Sequence, residues 1–213
     1  MTQITYTNYS RLALRTESPI EDVTKRISDR PDRFVRLIHA SLGLCSEVQE
    51  LQESFNDFDD TNTTGELGDS WWFLNNGYRA MNCEVDYASL SVTQVEDYKD
   101  VTLSFLFDEL KAKIADFQDH VKAHLFYGRA DFKVADKILS ASVVLIGDLN
   151  AVAVVLAHIT RNIAKELGED PVLAVLTANI AKLRARYPEA YSDLSANERS
   201  DNTERQAIES SNA

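Results

Sequence analysis

FVRLIHASLGLCSEVQELQESF, residues 34–55, decides the fold. Phe34, Leu37, Ile38, Leu44, Val48 and Leu51 fall at spacings that put them on one stripe of a helix, and no proline interrupts the run. Outward from this segment the pattern repeats. The 213 residues include only 7 Gly and 4 Pro, too few breakers for a chain of short strands, so an all-α protein built as a helical bundle is expected. Before it, a shorter helix is predicted over Ile20 to Ser28, started by Ser18 and Pro19. After it, NDFDDTNTT (56–64) reads as a loop whose Thr63 or Thr64 caps a helix reaching about Met81. Longer helices are predicted from about Val95 to Tyr127, from about Phe132 to Leu167 with a break near Gly147, and from Pro171 to Arg186. Tyr187-Pro188 ends the last of these. Residues 1–194 are read as one domain. From Ser195 onward, SANERSDNTERQAIESSNA offers almost nothing to bury and reads as a disordered tail.

Lys and Arg total 22 against 34 Asp and Glu, a formal charge of −12. That balance argues against a nucleic-acid partner or an anionic membrane surface. It leaves room for a triphosphate, because divalent ions on carboxylates invert the local field. Cys45 and Cys83 are too few for a disulfide framework and read as reduced thiols of a cytoplasmic protein. The first 22 residues hold no apolar run of signal-peptide length, so the mature chain is expected to start near Met1. Ile138 to Ile159 is apolar over a membrane-spanning length. Asp148 and Asn150 sit at its middle, however, and an aspartate there costs roughly 2.5–3.5 kcal/mol on insertion scales. A buried core helix is the expected role, with no membrane partner.

Two acidic pairs carry the chemistry. Glu47 and Glu50 are three residues apart, so both leave one helical face, and Glu66 and Asp69 repeat that spacing on the next helix. One pair alone would pass for a solvated face. Here both are embedded in apolar sequence, LGLCSEVQEL and GELGDSWWFL, and two such turns facing each other would repel unless a hard divalent cation lay between them. Gly43 and Gly68 beside them fit a close approach of another helix. Phe73 lies four residues beyond Asp69, over the same face, and is a candidate to stack on a base; the neighbouring tryptophans read as core. Asn75 and Asn76 are candidates to read a base edge. His39, roughly on the face of Glu47, reads as structural.

Glu47, Glu50, Glu66 and Asp69 match the E-x-x-E, spacer, E-x-x-D motif of a known family: the chain resembles the all-α, MazG-like nucleoside triphosphate pyrophosphohydrolases, to which dimeric dUTPases are related. NIAKLRARYPEAYS (179–192) is similar to the family's C-terminal signature at Asn179, Lys182, Arg186 and Tyr187. HVKAHLFYGRADF (120–132) resembles its FYGK loop, with Arg129 in place of the final lysine. The resemblance implies that the four acids hold Mg²⁺, or Mn²⁺ in its stead. It implies hydrolysis of a nucleoside triphosphate by water attack at the α-phosphorus, giving a monophosphate and pyrophosphate, with Glu50 the preferred catalytic base. Asn179, Lys182, Arg186 and Tyr187 are the implied substrate-binding residues, with Lys122 and Arg129 as weaker ones; Phe73 joins them on its spacing alone.

In simple members the FYGK loop falls between the two acidic pairs; here it follows both. Aligning Lys113-Ile114-Ala115-Asp116 with Glu47-Val48-Gln49-Glu50, and Leu145-Ile146-Gly147-Asp148 with Glu66-Leu67-Gly68-Asp69, suggests an internal repeat. Residues 34–85 would be the intact unit and 98–190 a degenerate one, giving a pseudo-dimeric, four-helix core within one chain. The alternative is an unrelated helical insertion between Asp69 and Asn179. Monomer and homodimer both remain open. So do two other functions: a non-catalytic nucleotide-binding or sensing protein, and a hydrolase of another phosphoanhydride such as an alarmone or dUTP.

Overall fold

In the computed structural model, residues 12–92, 101–188, 191–193, 196 and 200–211 are described. Among them are eight α-helices: α1 (Ile20–Asp29), α2 (Pro31–Asn56), α3 (Asp60–Ala80), α4 (Tyr87–Val92), α5 (Leu103–Phe126), α6 (Ala141–Ile163), α7 (Pro171–Arg186) and α8 (Asp201–Ser211). The only sheet among the described residues is a hairpin, β1 (Asp131–Val134) against β2 (Lys137–Ser140). The protein is an all-α bundle.

The α2–α3 hairpin is its most extensive pairing, followed by α5 with α6 and α7 with α8; α2 also packs on α5, and α3 on α6 and α7. The predicted stripe points inward, with Leu37, Leu44 and Leu51 fully buried and Phe34 and Val48 nearly so. Burying each leucine contributes about 1.5–3 kcal/mol. From α3, Leu67, Trp71 and Leu74 meet them, and Trp71 Nε1 donates to Thr160 Oγ1 of α6 at 3.1 Å.

Helix α6 is long and apolar enough to cross a membrane, yet most of its apolar window is buried within the protein, where Leu145, Leu149, Val152 and Leu156 are fully enclosed. The two polar residues at its middle are both paired. Asp148 meets His120 Nδ1 of α5 at 2.8 Å, and Asn150 Oδ1 accepts from the Tyr78 hydroxyl of α3 at 2.5 Å. There is no break at Gly147. Of the residues aligned as the degenerate acids, Lys113 pairs with Glu109, Leu145 is core, and Asp116 lies near enough to Asp148 to help raise its pKa, mainly an effect of burial.

Four expectations need correction. The loop after α2 is only residues 57–59: α3 begins at Asp60, and its cap is Asp59, which accepts from the Asn62 amide, rather than Thr63 or Thr64. The turn closes as a Schellman motif, with the Phe58 amide donating to Phe55 O and the Asp59 amide to Ser54 O, which forces Phe58 to φ 56°. Residues 131–140, read as the start of a long helix, form the hairpin. Their alternation puts Phe132 inward against Ala123, Ala141 and Val144 while its neighbours stay exposed. Ser18 does not cap α1; Pro19 occupies that position without a side-chain bond. Finally, part of the predicted disordered tail is α8, whose Glu204 and Ile208 are buried. Ile208 supplies the one apolar anchor that an otherwise polar sequence conceals. The predicted start at Val95 and the first eleven residues lie outside the described set, as do 195, 197–199 and 212–213 of the tail; α5 begins at Leu103 behind a Thr102 cap.

Candidate functional site

The short turn between α2 and α3 folds them back on each other and brings the acidic turns face to face. One carboxylate oxygen each from Glu47, Glu66 and Asp69 lies within 4.8 Å of the others. Glu66 is 5% exposed; Glu47 and Asp69 are half-buried. Glu50, the fourth expected ligand, is exposed and stands outside this trio, lining the two cavities that flank it.

Two glycines permit the approach. A Cβ on Gly43 would lie 2.2 Å from the Phe73 ring, and one on Gly68 would lie 2.6 Å from Asn179 Cβ. Helix α7 thus reaches the acids over Gly68. There Asn179 Nδ2 donates to Asp69 Oδ1 at 2.8 Å, and Lys182 Nζ, almost completely buried, meets Asp69 Oδ2 at 2.5 Å. Asp69 and Glu66 therefore share one ammonium. Burial raises the Glu47 pKa to about 8, with Asp69, Glu66 and Glu50 adding to the rise. Burial also raises that of Glu66, opposed first by Lys182. The two are hydrogen-bonded, a contact that pushes the Glu47 pKa up and that of Glu66 down.

Beside the trio is a cavity of about 360 Å³. His39, Trp72, Phe73, Tyr187 and Tyr191 wall it with aromatic surface, and Arg186 adds a cation. His39 meets the rings of Trp72 and Phe73 edge-on, at 5.7 and 5.2 Å. On the other side, a cavity of about 390 Å³ is lined by Glu50, Glu66, Lys182 and residues of α8. Helix α8 is what separates Arg186 from open solvent: Glu204 accepts from Arg186 Nε and Nη2 at 2.7 and 2.5 Å. Ile208 sits over Gly65, and Arg205 reaches Asp59 at 2.8 Å.

The structure divides the other sequence candidates. Phe73, Arg186 and Tyr187 line the cavity. Asn179 and Lys182 instead hold Asp69. Lys122 pairs with Asp119 on exposed α5, and Arg129 lies over Phe132 near the hairpin; neither lines the cavities beside the acids. Asn75 donates to Trp71 O and the Tyr87 hydroxyl, a scaffold role, while Asn76 lies 3.5 Å from His39. Trp72 and His39, read as core and structural, are cavity walls. Tyr191 and Glu204 were missed. Tyr191 lies four residues after Tyr187 and stacks on it, a spacing visible in the sequence, whereas nothing local marks Glu204 as the partner of Arg186.

The donor set suits a hard divalent cation: three carboxylates within reach of one another, and too little positive charge beside them. No protein-family model, characterised protein or solved structure matches the chain.

Proposed function

We propose that this chain is a divalent-metal-dependent nucleoside triphosphate pyrophosphohydrolase of the MazG-like kind its motifs resemble. The observation that carries the reading is the convergence of Glu47, Glu66 and Asp69 beside a cavity with aromatic walls and a cation. Held by those three residues, Mg²⁺ or Mn²⁺ supplies charge neutralisation at phosphate oxygens and a lowered pKa for water. Asn179 and Lys182 fix the orientation of Asp69, so one ligand is pre-organised before any ion arrives. Glu47 must give up its proton to serve. Glu50, exposed at the mouth of both cavities, is the carboxylate free to accept a proton from the attacking water. Phe73, Trp72 and Tyr187 offer faces for a base, and Arg186 a charged fork for phosphate.

The test is pyrophosphate release from a panel of NTPs and dNTPs with Mg²⁺. Wild type is expected to yield monophosphate and pyrophosphate, and Glu50→Gln to lose about 10²–10⁴-fold in rate, the usual contribution of a general base. One observation favours a rival. Two of the three cations of α7 are already paired, Lys182 with Asp69 and Arg186 with Glu204, as suits a protein that binds nucleotide without turning it over. Nucleotide binding with no product would establish that rival instead.

A further inference from the structure

A third cavity, of about 410 Å³, lies where α1, α2, the end of α5 and the start of α6 meet. Arg33 at its wall and Glu47 are both on α2, separated by roughly 21 Å of helical rise, so this site is remote from the carboxylates.

Three guanidinium groups converge there: Arg26 from α1, Arg30 between α1 and α2, and Arg33 from α2. In a protein of net charge −12, such a cluster should be neutralised by carboxylates. Among the described residues none of the three is ion-paired. Asp29, the one acid in the lining, is not within bridging distance of any of them. Arg26 Nη1 donates to the Leu125 and Phe126 carbonyls at 2.9 and 3.0 Å, which anchors it at the end of α5. Arg33 Nη2 donates to Ser142 Oγ at 3.0 Å, but its Nε is buried with no acceptor among the described residues. A buried donor left unpaired costs about 1–3 kcal/mol. Arg30 is exposed and has no side-chain partner among the described residues. The first turn of the 23-residue α6, at Ala141 and Ser142, also borders the cavity and adds the positive end of its dipole.

Two further features bear on the ligand. Gly128, at φ 63°, leaves no room for a side chain, since a Cβ would come within 2.9 Å of Arg26 Nε. The floor is Phe34 against the His124 ring, with centroids 5.3 Å apart. His124 Nδ1 donates to the Arg129 carbonyl at 2.7 Å, and burial, together with Arg33, Arg30 and Arg26, lowers its pKa. The histidine is therefore neutral in a field the arginines dominate.

We propose that this cavity is a binding site for a phosphate group, carried either as free phosphate or as the monoester of a small organic molecule. Guanidinium forks match phosphate oxygens bidentately, and the cavity is larger than phosphate alone needs, with an aromatic floor for an organic part. The inference does not depend on the carboxylate site.

Calorimetric titration of the full chain in EDTA, which removes divalent ions from the carboxylates, tests it with two probes: inorganic phosphate and a nucleoside monophosphate. Saturable binding by at least one probe is expected, weakening as NaCl rises. Tighter binding of the monophosphate would identify the monoester as the ligand, and equal or weaker binding the free anion. Arg30→Gln should weaken binding about tenfold, the loss of one charge-assisted bond. Because Arg30 has no partner to lose, its thermal unfolding should match wild type. Arg33→Lys, which keeps the charge but not the fork, should weaken binding as well, and Glu47→Gln should leave it unchanged. No binding of either probe up to about 10 mM would overturn the proposal, since that limit corresponds to less than about 3 kcal/mol. Binding that survives Arg30→Gln and Arg33→Lys, or that is lost in Glu47→Gln, would overturn it equally.

Discussion

Glu47 is a half-buried carboxyl group set among three other acids. With its pKa raised to about 8, it enters the folded state protonated at neutral pH. The sign of the consequence follows by linkage. A carboxyl group with a folded pKa above its unfolded value of about 4.3 stabilises the metal-free protein fully below that unfolded value, and this contribution fades as pH rises through 8. Glu47→Gln should therefore unfold at a higher temperature than wild type at pH 9 without metal, with the gap closing towards pH 5. In wild type the affinity for Mn²⁺, measured by calorimetry, should climb from pH 6 to 8 as the proton is lost. Lys182 is the counterweight. Removing one member of a buried pair leaves the other charge uncompensated, so Lys182→Met should cost about 3 kcal/mol in urea unfolding, and Asp69→Asn in the same chain should recover most of it. These residues were only half legible in sequence. The i, i+3 spacing marks Glu47, Glu66 and Asp69 because helical geometry alone puts acids on one face. That Lys182 would serve a carboxylate rather than a phosphate depends on how α7 crosses Gly68, which no local pattern records.

Helices announced themselves where a stripe and a breaker agreed. Helix α7 occupies the predicted span, with Pro171 in the first turn, Asp170 as a cap accepting from the Leu173 amide, and Tyr187-Pro188 beyond. Residues 131–140 misled because Phe132 and Leu139, seven residues apart, share a helical face as readily as they pair across two strands, and the Ala135-Asp136 turn lacks the Gly or Asn that would betray a hairpin. Helix α8 was invisible for a different reason. Its hold on the protein consists of one apolar side chain and a few charged contacts, too little apolar surface to stand out in so polar a stretch. Yet it governs the cavity. Glu204→Gln should lower stability by about 2 kcal/mol, since hydrogen bonds to charged groups contribute about 1.5–3 kcal/mol each. The kinetic readout is more telling. If Arg186 meets phosphate, freeing it from Glu204 should lower KM for a triphosphate while unfolding occurs at lower temperature. A purely structural Arg186 would leave KM unchanged or raise it.

The whole bundle is organised around opposed charges that its packing holds close. The apolar faces of α2, α3, α5 and α6 make one continuous core, which fixes the α2–α3 register and so forces three carboxyl groups together despite their repulsion. That arrangement costs free energy in the metal-free protein, and the net charge of −12 adds to it through self-repulsion. A cation that binds the folded state and not the unfolded chain must therefore stabilise the protein, by about 2.7 kcal/mol at a hundredfold excess over Kd. For a chain of this length that corresponds to roughly 5–11 °C in Tm. General screening by salt relieves the diffuse repulsion but cannot reach the buried trio. Differential scanning fluorimetry at constant ionic strength separates the two. Mg²⁺ or Mn²⁺ should raise Tm well beyond NaCl of equal ionic strength, and Glu47→Gln/Asp69→Asn should keep the NaCl response while losing the excess. Equal responses to both salts in wild type would mean that the acids, close as they are, bind no ion of their own.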